Sequence, residues 1–174
     1  MKNMEAVSKL EEQETKKEVY LLSKNFKENW VNYVWQSMAA GVFTFLLIFI
    51  CSELITLIIL ASIGSTFFTV FALPGNRTAQ VRNVMGSYII CILIGLACSF
   101  MPSAGISGGI SVGAAAFFMV ITDTEHPPAA GIALGLALTP AVEHALAGAL
   151  FALIGASLSS LLKHVFSPWL KDLI

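Results

Sequence analysis

The chain has 174 residues, 56% hydrophobic and 12% charged, with a formal net charge of −1 and a mean hydropathy of +0.79. A soluble domain of this size carries about a quarter charged residues, so an ordinary soluble fold is excluded. A nucleic-acid binder is excluded too, because no basic patch exists beyond lysines interleaved with glutamates.

The charges are segregated along the chain. The first 28 residues hold six Lys and six Glu, while Val31 to Leu73 holds only Glu53. This predicts an all-α, polytopic membrane helix bundle with a short soluble arm. Residues 1–28 form the charged cytoplasmic arm, in which Ser8 and Glu11 have capping-box spacing and predict a solvated helix. No secretory signal peptide is expected, because the first apolar run is preceded by mixed charge. Residues 29–36 form an interfacial segment, expected as a helix leading into the bilayer: with Phe26, residues Trp30, Tyr33, Val34 and Trp35 recur at helical intervals, the aromatics among them clustered as at a headgroup boundary.

Residues 37–163 form the transmembrane domain. Ser37 to Leu73 is too long for one crossing of about 20 residues and suits two, with a turn near Ser52 to Thr56. Pro74 stops the second helix, and P-G-N-R-T-A-Q makes a polar loop. A third span runs from about Val84 to Phe100, and the Gly- and Ser-rich stretch Pro102 to Gly109 is expected to turn the chain. Ile110 to Thr122 and Pro128 to Leu138 are short apolar segments flanking T-D-T-E-H-P-P. Thr139-Pro140 turns again, Ala141 to Leu162 is the last span, and residues 164–174 form a cytoplasmic tail. The count is four to six spans. Six is favoured, with two short or broken helices around the H-P-P loop.

With six crossings and a cytoplasmic N-terminus, all ten Lys and Arg fall on the cytoplasmic side, as the positive-inside rule asks. A weak internal echo relates Ile63 to Val70 with Val112 to Val120, each followed by a proline-containing polar loop and a Gly-rich helix. Gly109 and Gly113, Gly131 and Gly135, and Gly148, Ala152 and Ala156 recur every four residues, a spacing that lets helices approach closely within or between protomers. Cys51, Cys91 and Cys98 sit in apolar runs without C-x-x-C, so neither a metal site nor a disulfide is expected.

Ionisable groups at membrane depth mark pathways or binding sites. The first polar loop and the helix after it offer Asn76, Arg77, Gln80, Arg82 and Asn83. The second offers Asp123, Glu125 and His126, followed by Pro127 and Pro128, which suit a first helical turn. Two helix starts with free N–H groups, two arginines and a histidine suit a small anion. Asn76, Arg77, Gln80, Arg82, Asn83, His126, Pro127 and Pro128 are therefore expected to bind substrate. Asp123, Glu125 and His126 are the expected gating or proton-coupling groups. An intramembrane enzyme would need a nucleophile–base pair or a metal set; only His126 with Asp123 and Glu125 approaches one, so neither enzyme activity nor a cofactor is expected.

From Met38 to Leu162 the chain resembles the HPP family of integral membrane proteins. The likeness is carried by His126-Pro127-Pro128-Ala129, by L-A-S-I-G-S at Leu60 to Ser65, by F-A-L-P at Phe71 to Pro74, and by A-Q-V-R-N-V-M-G at Ala79 to Gly86. The chain departs from that pattern at Val81, where proline is usual, and at Gly86-Ser87-Tyr88, where Gly-Gly-His is frequent. Family members are usually described as four-span proteins, fewer than the six favoured here. Plant and cyanobacterial relatives are implicated in nitrite transport, so the resemblance implies a transporter or channel for a small inorganic anion, nitrite first. The alternative is a non-transporting membrane scaffold or sensor acting through the N-terminal arm. A homo-oligomer, dimer or trimer, is expected in the bacterial cytoplasmic membrane, with both termini cytoplasmic.

Overall fold

The computed structural model describes residues 26–51, 57–139 and 141–173. The arm up to Asn25 and the turn expected near Ser52 to Thr56 lie outside the described residues. Among these there are six α-helices and no strand: α1 (Phe26–Cys51), α2 (Leu57–Ala72), α3 (Val81–Cys98), α4 (Ala104–Ile121), α5 (Pro128–Ala137) and α6 (Val142–Phe166). A one-turn 3-10 segment, Arg77–Ala79, precedes α3.

Length separates the helices into classes. At 1.5 Å per residue, α5 spans only about 15 Å and α2 about 24 Å, against a hydrocarbon core of about 30 Å. Helices α3, α4 and α6 are each long and apolar enough for a full crossing. The aromatic segment 29–36 is not a separate helix; it forms the opening turns of α1, which is irregular only at Asn29 (φ −123°, ψ 17°).

The short α5 lies at the centre, packed by α2, α3, α4 and α6. In lipid, helices associate by close packing rather than by escaping water, and the α5 sequence, P-A-A-G-I-A-L-G-L-A, permits this. Backbone comes close to backbone where α5 meets α3. A Cβ on Gly95 would lie 2.8 Å from the Ala133 carbonyl oxygen and 2.8 Å from the Leu136 Cβ. Overpacking costs about 1–3 kcal/mol, more than the roughly 1 kcal/mol helix propensity that alanine would return. Gly95→Ala should therefore lower the thermal unfolding temperature in detergent by several degrees. Gly109→Ala, on a face with no atom within 4 Å, should not. Equal shifts in the two variants would contradict this packing.

One expected turn is a helix. Pro102 to Gly109 reads as loop because of its Gly and Ser content, yet α4 begins at Ala104, so α4 is a full crossing and the short helices are α2 and α5. The small residues serve packing at the point where α3 ends and α5 ends. The Ser107 hydroxyl lies 2.7 Å from the Cys98 carbonyl, which also accepts from Met101 N–H, and 3.0 Å from the Ala137 carbonyl at the end of α5. Gly108 makes room for Leu134 of α5. The small-residue stripes divide in the same way: Gly135, Gly148, Ala152 and Ala156 are buried inside the chain, whereas Gly109 and Gly113 are exposed.

One end of the bundle collects the basic groups. Residues 167–173 fold back over it: Leu173 N–H donates to the Ala72 carbonyl (3.0 Å) and Gly75 N–H to the Asp172 carboxylate (2.8 Å). The buried Gln36 amide donates to the carbonyls of Phe71 and Lys171, and the Tyr33 hydroxyl to that of Leu173. These bonds place the start of α1, the end of α2, the start of α3 and the tail together. Lys27, Arg77, Arg82, Lys163 and Lys171, all the Lys and Arg among the described residues, therefore share this end, and Glu143 begins α6 at the other.

Candidate functional site

The site begins with the way α4 stops. Thr124 N–H bonds the Met119 carbonyl (3.0 Å) and Asp123 N–H the Val120 carbonyl (3.2 Å), the paired bonds of a Schellman ending. That ending needs a left-handed residue, usually glycine; here Asp123 takes it at φ 58°. Asp tolerates this region better than most residues, and the choice places a carboxylate in the turn. It pairs with Arg77 and lies 3.7 Å from Arg82, whose guanidinium also approaches the Thr122 carbonyl at 3.5 Å. All three side chains are more than half exposed. Two cations share one anion, so the cluster keeps one net positive charge.

The first loop is shaped by Asn76. Its side-chain oxygen accepts from Thr78 N–H (3.0 Å) and from the Thr78 hydroxyl (3.1 Å), which starts the 3-10 turn. The Lys163 ammonium donates to the Ala79 carbonyl at 2.7 Å. Between these anchors the Thr78 carbonyl lies 2.7 Å from Nδ1 of His126. The two loops thus meet. Asn83, buried at the start of α3, holds the second loop by donating to the Glu125 carbonyl (3.2 Å). Gly86 leaves room for the buried Thr124, whose Cγ2 would lie 2.8 Å from an added Cβ.

His126 is fully buried between the two loops. A carbonyl can only accept, so Nδ1 carries a hydrogen and donates to Thr78. Nε2 lies 2.9 Å from the Thr66 hydroxyl, which is also 2.7 Å from the Tyr88 hydroxyl and 3.1 Å from the Ser62 carbonyl. The imidazole sits in the connection between α4 and α5, where burial pushes its pKa from 6.5 down to about 4; the Thr78 carbonyl works weakly against that. It is neutral near pH 7.

The expectation of free N–H groups at the start of α5 is not met. Pro127 and Pro128 have none, and those of Ala129 and Ala130 bond back to the carbonyls of His126 (2.9 Å) and Pro127 (3.1 Å). A cavity of about 340 Å³ opens beside them, lined by Thr78, Ala116, Met119, Val120, Glu125, His126, Pro127 and Ala130. A larger groove of about 510 Å³ between α1 and α2 is lined by groups such as Ala40, Gly41, Gly64 and Phe68 and lacks any ionisable side chain.

The expected site residues therefore divide into layers. Arg77, Gln80, Arg82 and Asp123 form an exposed rim, with Asn76 shaping it. Glu125, His126 and Pro127 line the cavity, Asn83 positions the loop behind it, and Pro128 opens α5. Sequence reasoning missed Thr66, Tyr88 and Thr78. A signal existed in α2, where Ser62, Thr66 and Thr69 form a polar stripe on a mostly apolar helix; each hydroxyl returns to the carbonyl four residues back.

Residues 26–172 match the family model described as HPP, transmembrane region. No curated protein matches the chain, and no solved structure does.

Proposed function

The chain belongs to the HPP transmembrane family, and on that premise we propose that this membrane protein passes a small inorganic anion, nitrite first, across the bacterial cytoplasmic membrane without converting it chemically. The observation that carries the reading is the cavity of about 340 Å³ whose wall includes Thr78, Glu125 and His126, close in the chain to the exposed Arg77–Asp123 pair. A water molecule occupies about 30 Å³, so the space suits a three-atom anion with part of its hydration. Arg77 and Arg82 draw the anion to the mouth, with Gln80 and Asn76 as neutral rim groups. His126 and Pro127 form the inner wall, and Pro128 fixes the direction of α5. Asp123 and Glu125 are the counter-charges that let the anion leave.

The end with Lys27, Arg77, Arg82, Lys163 and Lys171 faces the cytoplasm in this reading, as basic residues near short loops do. Both termini then lie inside. The reading includes a dimer or trimer that packs through the exposed small residues of α4. Nitrite entry into proteoliposomes, followed by stopped flow, tests the function. Saturable entry well above that of protein-free vesicles is expected; equal rates would refute transport of nitrite.

A further inference from the structure

We infer that His126, Thr66 and Tyr88 form a proton-binding site, in which the Thr66 hydroxyl turns between two acceptors and the proton is taken up together with the anion. The hydroxyl switch stands on geometry alone; the joint uptake rests on the transport reading above.

The hydrogen-bond inventory allows two complete states on one set of heavy-atom positions. In the empty state the Nε2 lone pair accepts the Thr66 O–H at 2.9 Å, and Thr66 accepts from Tyr88 at 2.7 Å. In the loaded state Nε2 has gained one proton from water and donates to Thr66. The Thr66 O–H then turns to the Ser62 carbonyl, 3.1 Å away, while Tyr88 keeps donating. Two lone pairs and one hydrogen on Thr66 are then all engaged. Nδ1 donates to Thr78 in both states. An ordinary buried histidine lacks the second arrangement, so charging it would orphan a donor.

The surroundings say what accompanies the proton. On α2 the imidazole meets Thr66, on α3 Tyr88 with Cys91 one turn further on, and on α4 Ala116, Met119 and Val120, none of them an acidic or basic residue. Its own connection brings Glu125; beyond Thr78 lie Arg77 with Asp123, and Lys163 of α6 holds the neighbouring Ala79 carbonyl. Of the residues that line the cavity, Glu125 is the acidic one and His126 the one imidazole. An anion entering meets a carboxylate and a neutral ring, and no fixed cation. One proton on Nε2 offsets the Glu125 carboxylate, so that an entering anion meets a wall with no net charge. An adjacent anion strengthens proton binding, and by linkage the proton strengthens anion binding by the same factor.

Histidine NMR tests both halves. His144→Gln with His164→Gln leaves His126 as the sole histidine. The labelled full chain is titrated from pH 4 to 8 in detergent, in sodium nitrite and in sodium gluconate. The expected neutral form carries its hydrogen on Nδ1. Thr66→Val should weaken proton binding at least tenfold, Thr66→Ser should restore it, and nitrite should strengthen it at least threefold over gluconate. Thr66→Ala replaces Thr66→Val, with the same expectation, if the valine variant does not fold.

A neutral form protonated on Nε2, or a titration indifferent to loss of the hydroxyl, would overturn the switch. Proton binding indifferent to nitrite would overturn joint uptake. Vesicles without nitrite entry, alongside the expected Thr66 pattern, would remove the transport reading and leave the switch. Entry with no Thr66 dependence would do the reverse.

Discussion

His126→Ala should abolish nitrite entry into proteoliposomes and also lower the stability of the bundle. The substitution empties a fully buried position and leaves the Thr78 carbonyl without its donor. Cavity formation and a lost buried bond together cost roughly 2–4 kcal/mol, so flux must be normalised to folded protein recovered by size exclusion. Normal flux per folded molecule would remove His126 from the pathway.

The same substitution should blunt the acid sensitivity of the fold. In the unfolded chain the imidazole titrates near 6.5, whereas in the folded chain it resists protonation down to about 4. The stabilisation from keeping it neutral is complete above 6.5 and is lost as pH falls from 6.5 toward 4. Unfolding temperatures at pH 7.5, 5.5 and 4.5 should therefore fall more steeply for the native chain than for His126→Ala. Parallel slopes would show that the imidazole does not set this dependence.

Arg77→Ala combined with Arg82→Ala should reduce the initial rate of nitrite entry about tenfold at low ionic strength. With Asp123 left in place, the rim changes from one net positive charge to one net negative charge. Because all three groups are more than half exposed, the effect belongs to long-range attraction and must weaken with salt. The screening length falls from about 10 Å at 0.1 M to about 3 Å at 1 M. Rates of native and doubly substituted protein should converge over that range, and Asp123→Ala should move the rate the opposite way. A deficit that persists at 1 M salt would instead mean direct coordination by the guanidinium groups.

Sequence patterns located most helices but only part of the site. Proline positions bounded α2 and opened α5, and the long apolar run from Ser37 resolved into two helices. The start of α4 was illegible because Gly and Ser signal turns in a soluble chain, whereas here Ser107 and Gly108 fit between the ends of α3 and α5. Convergence of the two polar loops was legible from their chemistry, and Arg77 does meet Asp123. The partners of His126 were not. Thr66 and Tyr88 lie 60 and 38 positions before it in the chain, and no local spacing rule links them. The helix-start argument failed because two prolines and a tight first turn leave the Ala129 and Ala130 amides already bonded.

The fold-back of residues 167–173 has a mechanical corollary. Leu173 and Asp172 pin Ala72 and Gly75, Lys163 pins Ala79, and the Thr78 carbonyl rides between these fixed points. The acceptor that sets the His126 tautomer is thus braced by chain almost a hundred positions later. Any binder or modification that peeled residues 170–173 away would retune the imidazole from a distance, like loosening a guy-rope rather than touching the mast.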